Sequence, residues 1–185
     1  FPGIGYGGSC FPKDVKALIK SGQDEDFNFK ILEATEEINK KQKIILVDEI
    51  EKYFGGNLEG KKIAMWGLAF KANTDDIREA SSLDNIELLL EKGAKVTAFD
   101  TIAEENVRKI LGDKIDYAKD MYSALEDADC LLIVTEWSEF KNPNFELMAE
   151  KLKNKAIFDG RNMFSMDQVE GTGFYYKSIG RKTVL

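Results

Sequence analysis

The sequence predicts an α/β protein in which a long central helix precedes a doubly wound, mostly parallel sheet. Residues 29–54 contain neither glycine nor proline, and Leu46, Ile50 and Phe54 recur there at helical spacing with charged residues between them. Beyond Lys61, short apolar runs alternate with amphipathic stretches, which is the order of parallel strands joined by helices. The first pattern predicts the helix and the second predicts the sheet.

Two shorter elements precede the long helix. Residues 1–12 form a loop dense in glycine, and residues 13–20 predict a short helix that stops near Gly22. The long helix follows over residues 29–54 and ends at Gly55. A helix of this length is unusual within one globular domain, so we expect a spine between domains or a dimer interface.

The predicted sheet opens with a β-α-β unit. A strand at residues 63–66 is followed by a helix that begins at Ser81 or Ser82. That helix closes at Gly93, and a second strand lies at residues 96–99. Because such crossovers are right-handed, the two strands are expected to lie parallel. The Rossmann-like alternation continues through strands near 115–118, 131–135, 156–159 and 174–176 and helices near 104–111, 121–126 and 144–152.

Composition and charge exclude several classes of protein. The chain has 185 residues and a formal net charge of −7, so its surface repels phosphate backbones and we expect no nucleic-acid partner. The longest apolar runs, such as residues 130–134, are too short to cross a bilayer, and no signal peptide opens the sequence. We therefore expect a cytoplasmic protein without a membrane partner. Because the sequence contains no histidine, histidine-based catalysis and metal sites with histidine ligands are excluded. We expect no metal.

The two cysteines, Cys10 and Cys130, lie far apart in the chain and predict no disulfide framework. Cys130 lies within an apolar strand and is expected to be an inert buried residue. Cys10 belongs to a glycine-rich loop in which the chain begins at Phe1, without methionine, and we interpret the chain as a segment of a longer protein.

Cys10 lies between the glycine-rich loop and the first predicted helix. Glycines let the backbone approach a ligand closely, and the positive helix end together with Lys13 would favour a thiolate. Asp14 lies one helical turn beyond Cys10, so both side chains can face one pocket. This arrangement indicates covalent catalysis. The residues alone leave open a buried cysteine beside a tight turn, with Lys13 and Asp14 as a solvated pair.

The missing histidine narrows the chemistry of the cysteine. A protease or acyltransferase mechanism is disfavoured without a histidine partner. A thiol that adds to an aldehyde suits an oxidation instead: addition gives a thiohemiacetal, loss of hydride gives a thioester, and water releases the acid.

Four stretches form a set along the chain. They are residues 3–14 (GIGYGGSCFPKD), 67–79 (GLAFKANTDDIRE), 135–137 (TEW) and 158–162 (FDGRN). Their sequences, order and spacing resemble the UDP-glucose/GDP-mannose dehydrogenase family over essentially the whole chain. The first stretch looks like the catalytic-cysteine motif of the UDP-glucose 6-dehydrogenases.

The resemblance implies two domains and an enzymatic activity. Residues 1–58 would form part of a central helical dimerisation domain with the catalytic cysteine loop. Residues 59–185 would form a carboxyl-terminal, UDP-sugar-binding, Rossmann-like domain. The parent enzyme would oxidise UDP-glucose to UDP-glucuronate in two hydride transfers to NAD, through a thiohemiacetal and a thioester on Cys10. A homodimer would form through the helix at residues 29–54.

The resemblance also implies a role for each candidate site residue. Cys10 would be the nucleophile, and Asp14 would position or activate the water that hydrolyses the thioester. Lys13 and Arg78 would contact the nicotinamide cofactor. The sugar nucleotide would be bound by Phe1, Pro2, Gly3, Gly7, Phe70, Lys71 and Arg161.

The chain departs from a complete family member in the segments that bind the cofactor. Residues 67–70 lack the second and third glycines of the dinucleotide-binding fingerprint, so residues 59–185 are interpreted as the nucleotide-sugar half. NAD is expected to bind mainly to an amino-terminal domain that this chain lacks. An acid/base glutamate and a lysine–asparagine pair, which the family draws from upstream segments, are also missing. The chain alone is therefore expected to turn over little.

Two other functions stay open. A sibling dehydrogenase would act on GDP-mannose or on a UDP-N-acetylhexosamine. Lys13 and Asp14 favour UDP-glucose over the hexosamine, while only Phe11 and residues 69–70 argue against GDP-mannose. The isolated chain could instead be a non-catalytic module for nucleotide-sugar binding or dimerisation.

Several conspicuous residues are predicted to be structural. Trp137 and Phe140 are better explained by packing than by contact with a nucleotide base. Asp100 ends a strand where ligands often bind, and we expect a structural role for it or a position on the UDP side.

Overall fold

The computed structural model describes residues 3–185, and its main elements follow the predicted order. The helices are α1 (Phe11–Asp24), α2 (Lys30–Tyr53), α3 (Ser81–Glu91), α4 (Glu104–Leu111), α5 (Phe145–Lys151) and α6 (Met166–Val169). The strands are β1 (Lys62–Trp66), β2 (Lys95–Phe99), β3 (Asp116–Tyr117), β4 (Cys130–Ile133), β5 (Ala156–Asp159) and β6 (Tyr175–Ser178). Short 3-10 turns lie at Gly112–Lys114, Ser123–Leu125 and Ser138–Phe140.

The six strands form one sheet in the order β3-β2-β1-β4-β5-β6, and every neighbouring pair is parallel. The chain builds outward from β1 to β3, returns to the other side of β1 at β4, and builds outward again to β6. The direction of winding therefore reverses between β1 and β4, and ligands bind at such a switch point beyond the carboxyl ends of the strands. This sheet confirms the predicted α/β class.

The central strands are buried on both faces, as a parallel sheet with helices on both sides requires. All residues of β4 and of β5 are buried, and only the first residue of β1 is partly exposed. The apolar runs in the sequence are therefore the middle of the sheet rather than one face of it.

The carboxyl-terminal half of α2 packs onto the sheet. Leu46, Val47 and Ile50 are at most 1% exposed and belong to the same apolar core as the central strands and Ile4. Burying each of these side chains contributes about 1.5–3 kcal/mol. This packing fixes α2, and with it the loop before α1, relative to the strand ends. The division into two domains near residue 58 stays a prediction.

Two predicted helices differ from the structure. The first helix does not stop near Gly22 but runs to Asp24, and Pro12 lies in its first turn, where proline costs no helical hydrogen bond. The helix predicted at residues 121–126 is only a 3-10 turn. Its backbone is held locally because the Asp120 carboxylate accepts hydrogen bonds from the N–H groups that follow it.

One α-helix among the described residues was not predicted. The helix α6 is a single turn, and it forms because Ser165 and Gln168 make a reciprocal capping box around its first residues. None of the helices among the described residues is both long and apolar enough to span a membrane.

Candidate functional site

The cysteine loop leads into α1, and Cys10 occupies the position before the first residue of that helix. Its side chain is exposed, and its Sγ lies 3.7 Å from Ser9 Oγ. Asp14 follows one turn later, with its backbone N–H donating to the Cys10 carbonyl at 2.9 Å. Lys13 Nζ lies 3.4 Å from Asp14 Oδ1, and both side chains face solvent. The thiol is therefore accessible, which rules out the alternative of a buried cysteine.

Cys130 shows the contrasting environment. It lies in β4 with no exposed surface, and burial raises the pKa of its thiol. A buried neutral thiol is unreactive. The structure therefore agrees with the prediction that Cys130 only fills the core.

The segment between β1 and α3 packs directly against the cysteine loop. The Gly8 N–H donates to the Arg78 carbonyl at 2.8 Å, and a Cβ on Gly7 would collide with the carbonyl oxygen of Glu79. At Gly8, which has a positive φ of 92°, a Cβ would lie 2.8 Å from the Phe70 ring. A side chain is excluded at Gly7 by the close approach of the Glu79 backbone, and at Gly8 by the positive φ and the Phe70 ring.

A cleft of about 560 Å³ opens beside the cysteine loop, lined by Gly8, Ser9, Lys13, Lys16, Arg78 and Glu79. The structure thus brings Lys13 and Arg78, the two residues predicted to contact the cofactor, to one surface. The Arg78 guanidinium is held by Asp76 through bonds of 2.9 and 2.8 Å. This hydrogen bonding raises the pKa of Arg78.

Glu79 connects the cleft to the helices beneath it. Its carboxylate accepts a 2.6 Å hydrogen bond from Lys16 of α1 and lies 3.4 Å from Lys43 of α2. The Lys16 hydrogen bond lowers the pKa of the Glu79 carboxyl. Lys43 is buried, and its ammonium also lies 3.0 Å from Asp84. The carboxylate of Glu79 therefore joins the two parts of the chain.

Arg161 lies just after β5, at the carboxyl edge of the sheet. Its Nε donates to the Val134 carbonyl at 2.7 Å, and its Nη2 donates to the Phe70 carbonyl at 3.0 Å. Its Nε also lies 3.2 Å from Glu136 Oε2. Burial lowers the pKa of the Arg161 guanidinium. The side chain is thus held in place, because two of its nitrogens, Nε and Nη2, donate to backbone carbonyls of the protein.

A second cavity of about 470 Å³ lies at this edge, lined by Gly3, Glu136, Lys141, Arg161, Asn162, Met163 and Arg181. Three cations and one carboxylate surround it, so it suits a ligand that carries negative charge. A Cβ on Gly3 would lie 3.2 Å from the Gly160 carbonyl oxygen. The structure therefore brings together Gly3 and Arg161, two of the residues predicted to bind the sugar nucleotide.

Phe70 links the two cavities. Its ring faces Gly8 of the cysteine loop, and its carbonyl accepts the bond from Arg161. Lys71 is exposed beside it, with its Nζ 5.3 Å from the centre of the Phe70 ring. Phe1 and Pro2, which were also predicted to contact the ligand, lie outside the described residues.

Asp100 directly follows β2 and is a structural acceptor rather than a group free for a ligand. Both carboxylate oxygens accept hydrogen bonds, of 2.6 to 3.1 Å. The donors are the backbone N–H groups of Leu68, Ala69, Ile102 and Ala103 and the indole N–H of Trp137. Trp137 and Phe140 are buried, in agreement with the prediction that both pack in the core.

Sequence reasoning missed a polar face of α2. Glu36, Asn39, Gln42 and Lys43 lie at successive helical turns and contact either the cysteine loop or Glu79. These polar residues continue the stripe on which Leu46 and Ile50 lie. Because they lie at helical spacing from Leu46 and Ile50, they fall on the same side of α2. The sequence therefore already indicated that they face the protein rather than solvent.

The chain matches two domain models of one family. The model described as the UDP binding domain of the UDP-glucose/GDP-mannose dehydrogenase family matches residues 64–166. The model of the central domain of the same family matches residues 1–41.

Individual relatives agree with the family models. UDP-glucose 6-dehydrogenase TuaD of Bacillus subtilis is 43% identical over 182 residues, covering 98% of this chain and 39% of that protein. A UDP-glucose dehydrogenase structure from Pyrobaculum islandicum aligns with a TM-score of 0.79 at 35% identity, over 87% of this chain and 35% of that chain. A UDP-D-ManNAc dehydrogenase structure from Pyrococcus horikoshii aligns with a TM-score of 0.79 at 27% identity, over 97% of this chain and 40% of that chain.

The extent of these matches defines what they establish. The chain spans about two fifths of the length of the curated relatives that it matches. Within that span, the two models cover the cysteine loop, the first half of α2 and most of the sheet. The chain belongs to the UDP-glucose/GDP-mannose dehydrogenase family.

Proposed function

We propose that this chain supplies the catalytic cysteine and the nucleotide-sugar site of an NAD-dependent UDP-glucose 6-dehydrogenase. One observation carries the proposal: the loop that leads to the exposed Cys10 packs against Phe70, and Gly3 of the same loop lines a cavity at the strand ends together with Arg161 and two other cations. We call the enzyme that contains this chain together with the remaining length of its relatives the assembled dehydrogenase.

The chain provides the nucleophile for two successive oxidations at one carbon. The C6 hydroxyl of UDP-glucose first loses its proton while the C6 carbon loses a hydride, which gives an aldehyde. Cys10 Sγ adds to the aldehyde carbon, and the oxygen takes a proton to give a thiohemiacetal. Loss of a second proton and hydride leaves a thioester on Cys10. Water positioned by Asp14 attacks the thioester carbon, which releases the carboxylate and restores the thiol.

NAD⁺ would accept the two hydrides, and the residues of the chain fit as one wall of its site. Lys13 and Arg78 present cations at the cleft beside Cys10, and such groups suit the diphosphate of a dinucleotide. Residues 67–70 lack the dinucleotide fingerprint, so most of the cofactor contacts would come from the part of the assembled dehydrogenase outside this chain.

The sugar nucleotide would lie across the carboxyl ends of β1, β4 and β5. Lys71 and Arg161 would meet its diphosphate, while Gly3 and Gly7 would let the backbone approach it closely. That Phe1 and Pro2 contact the sugar nucleotide stays a prediction. The acidic net charge of the chain supports an enzyme without a nucleic-acid partner. A cytoplasmic location without a membrane partner is part of the same proposal.

Removing either proposed phosphate ligand should weaken substrate binding. For Arg161→Ala and Lys71→Ala in the assembled dehydrogenase, we expect the Kd for UDP-glucose to rise about 10- to 100-fold, since each loses a hydrogen bond to a charged group. Isothermal titration calorimetry measures this change. The matched controls are Arg108→Ala and Lys109→Ala on α4, whose partners are Glu104 and Glu105. Unchanged affinity in both site variants would contradict the proposed location.

The substrate itself is tested with a panel on the same enzyme. The similarity to a UDP-D-ManNAc dehydrogenase makes a sibling substrate the second candidate. We expect the highest kcat/KM with UDP-glucose, compared with GDP-mannose and UDP-N-acetylmannosamine. A preference for either of the other two would assign the chain to a sibling activity, and turnover of none of them would leave a binding module.

We also propose that the enzyme is a homodimer through α2. Ile31, Ile38 and Ile45 repeat every seventh residue along this helix, and all three are exposed. A second copy of the helix would cover this stripe. Sedimentation of the assembled dehydrogenase should show a dimer, and Ile38→Asp should dissociate it because a charge would enter the apolar contact. A wild-type monomer at micromolar concentration would contradict the proposal.

A further inference from the structure

Three side chains of α2 form hydrogen bonds to the loop that carries Cys10. They are those of Glu36, Asn39 and Gln42. We propose that Asn39 is a positioning residue of the dehydrogenase, which fixes the path of the cysteine loop by bridging the backbone of Tyr6. The role in catalysis rests on the function proposed for Cys10.

Asn39 satisfies both backbone groups of one loop residue. Its Oδ1 accepts a 2.8 Å hydrogen bond from the Tyr6 N–H, and its Nδ2 donates a 3.1 Å hydrogen bond to the Tyr6 carbonyl. The side chain is only 8% exposed. A carboxamide carries one acceptor and one donor group side by side, which is what this pair of contacts requires.

The loop is shaped to accept this contact. Gly5 has a positive φ of 75°, and a Cβ there would lie 2.6 Å from Asn39 Oδ1 and 3.0 Å from Lys43 Cγ. The backbone can reach α2 only because the residue before Tyr6 has no side chain. The contact therefore depends on both Gly5 and Asn39, although 34 positions of sequence separate them.

The neighbouring contacts fix the loop on both sides of Tyr6. Upstream, Gln42 Nε2 donates to the Gly3 carbonyl at 2.7 Å. At Tyr6 itself, the hydroxyl donates to Glu36 Oε1 at 2.5 Å, and burial, with this hydrogen bond, raises the pKa of Tyr6 to about 12. Downstream, Gly8 is bonded to Arg78. The path from Gly3 to Cys10 is thus held by α2 at Gly3 and Tyr6 and by the β1–α3 segment at Gly8, while Ile4 is bonded to Gly160 and Ser81.

Asn39 and the proposed charged ligands of the diphosphate lie in different parts of the chain. The proposed ligands of the diphosphate, Lys71 and Arg161, belong to the sheet half of the chain and make no described hydrogen bond to Asn39. Loss of the Asn39 side chain should therefore misplace the sulfur of Cys10. The affinity for the sugar nucleotide should change little, because the charged contacts proposed for Lys71 and Arg161 remain and Gly3 and Gly7 of the loop offer the ligand only a close backbone approach.

The test compares two asparagine variants of the assembled dehydrogenase. In Asn39→Ala we expect kcat to fall about tenfold or more, because small displacements of a reacting group cost this much, while the Kd for UDP-glucose stays within about twofold. The matched control is Asn144→Ala, which removes the cap of α5, where Asn144 Oδ1 accepts from the Leu147 N–H at 3.0 Å. It should lower the melting temperature and leave kcat unchanged.

Asn39→Asp supplies a readout that a merely structural role would not produce. An ionised carboxylate can accept from the Tyr6 N–H but cannot donate to the Tyr6 carbonyl, whereas the protonated acid can do both. The kcat of this variant relative to wild type should therefore rise as pH falls. The titratable groups around this position are Tyr6, Glu36, Lys43 and Glu79, and the wild-type protein carries them all.

The outcomes distinguish the positioning role from the function on which it rests. Wild-type kcat in Asn39→Ala, an equal loss in Asn144→Ala, or a pH-independent ratio for Asn39→Asp would overturn the role of Asn39. If Asn39→Ala does not fold, the ratio for Asn39→Asp decides. If Cys10→Ala retains full turnover, the proposed function itself is wrong. If Cys10→Ala is inactive while Asn39→Ala is fully active, only the positioning role is wrong.

Discussion

Replacing Cys10 by alanine should lower kcat of the assembled dehydrogenase by a factor on the order of 10³ or more. Alanine has no nucleophile to form the thiohemiacetal, so the second oxidation has no covalent path. The affinity for UDP-glucose should change little, because the proposed diphosphate ligands lie on other elements. The formation of NADH, followed by absorbance, measures the rate.

The second cysteine provides the control. Cys130→Ala removes a buried thiol within β4, so it should reduce stability slightly and leave kcat near the wild-type value. Equal turnover by Cys10→Ala and wild type would show that the exposed sulfur takes no part in the reaction. A large loss in Cys130→Ala at full folding would contradict its inert role.

Replacing Asp100 by alanine should have the largest effect on stability. Five N–H donors converge on its carboxylate, and its side chain is 4% exposed. Removal leaves these donors buried without an acceptor, and we expect the free energy of unfolding to fall by about 3–5 kcal/mol. Urea denaturation followed by circular dichroism measures this change.

Two further variants separate the hydrogen bonds from the charge. Asp100→Asn keeps one acceptor oxygen, so it should lose less stability than Asp100→Ala. Asp116→Ala removes an exposed carboxylate from β3 and should change the free energy of unfolding by no more than about 0.5 kcal/mol. A loss in Asp100→Ala as small as that of Asp116→Ala would show that the five hydrogen bonds contribute little.

Periodicity predicted the parts of the fold that depend on local pattern. The helix at residues 29–54 is observed as Lys30–Tyr53, because its apolar stripe and the lack of glycine leave little choice. The runs at residues 63–66 and 156–159 are strands because each is short and apolar and is buried on both faces of the sheet. The glycines before Cys10 were also informative, since the close approach that they permit is present at Gly7 and Gly8.

Contacts between distant residues could not be predicted in this way. Asn39 bonds a loop residue 33 positions earlier, and Arg161 bonds a carbonyl 91 positions earlier. Their partners are backbone groups, which every residue carries, so no sequence pattern identifies them. Likewise, Asp120 holds a 3-10 turn where spacing predicted a helix, because local side-chain bonds compete with helical ones.

The rate at which iodoacetamide alkylates Cys10, with and without saturating UDP-glucose, bears most directly on the proposal that this sulfur faces the sugar-nucleotide site. In the assembled dehydrogenase we expect bound UDP-glucose to slow the labelling of Cys10 several-fold, while buried Cys130 stays unlabelled in both conditions. Labelling of Cys10 at the same rate in the free and the ligand-bound enzyme would contradict the proposal.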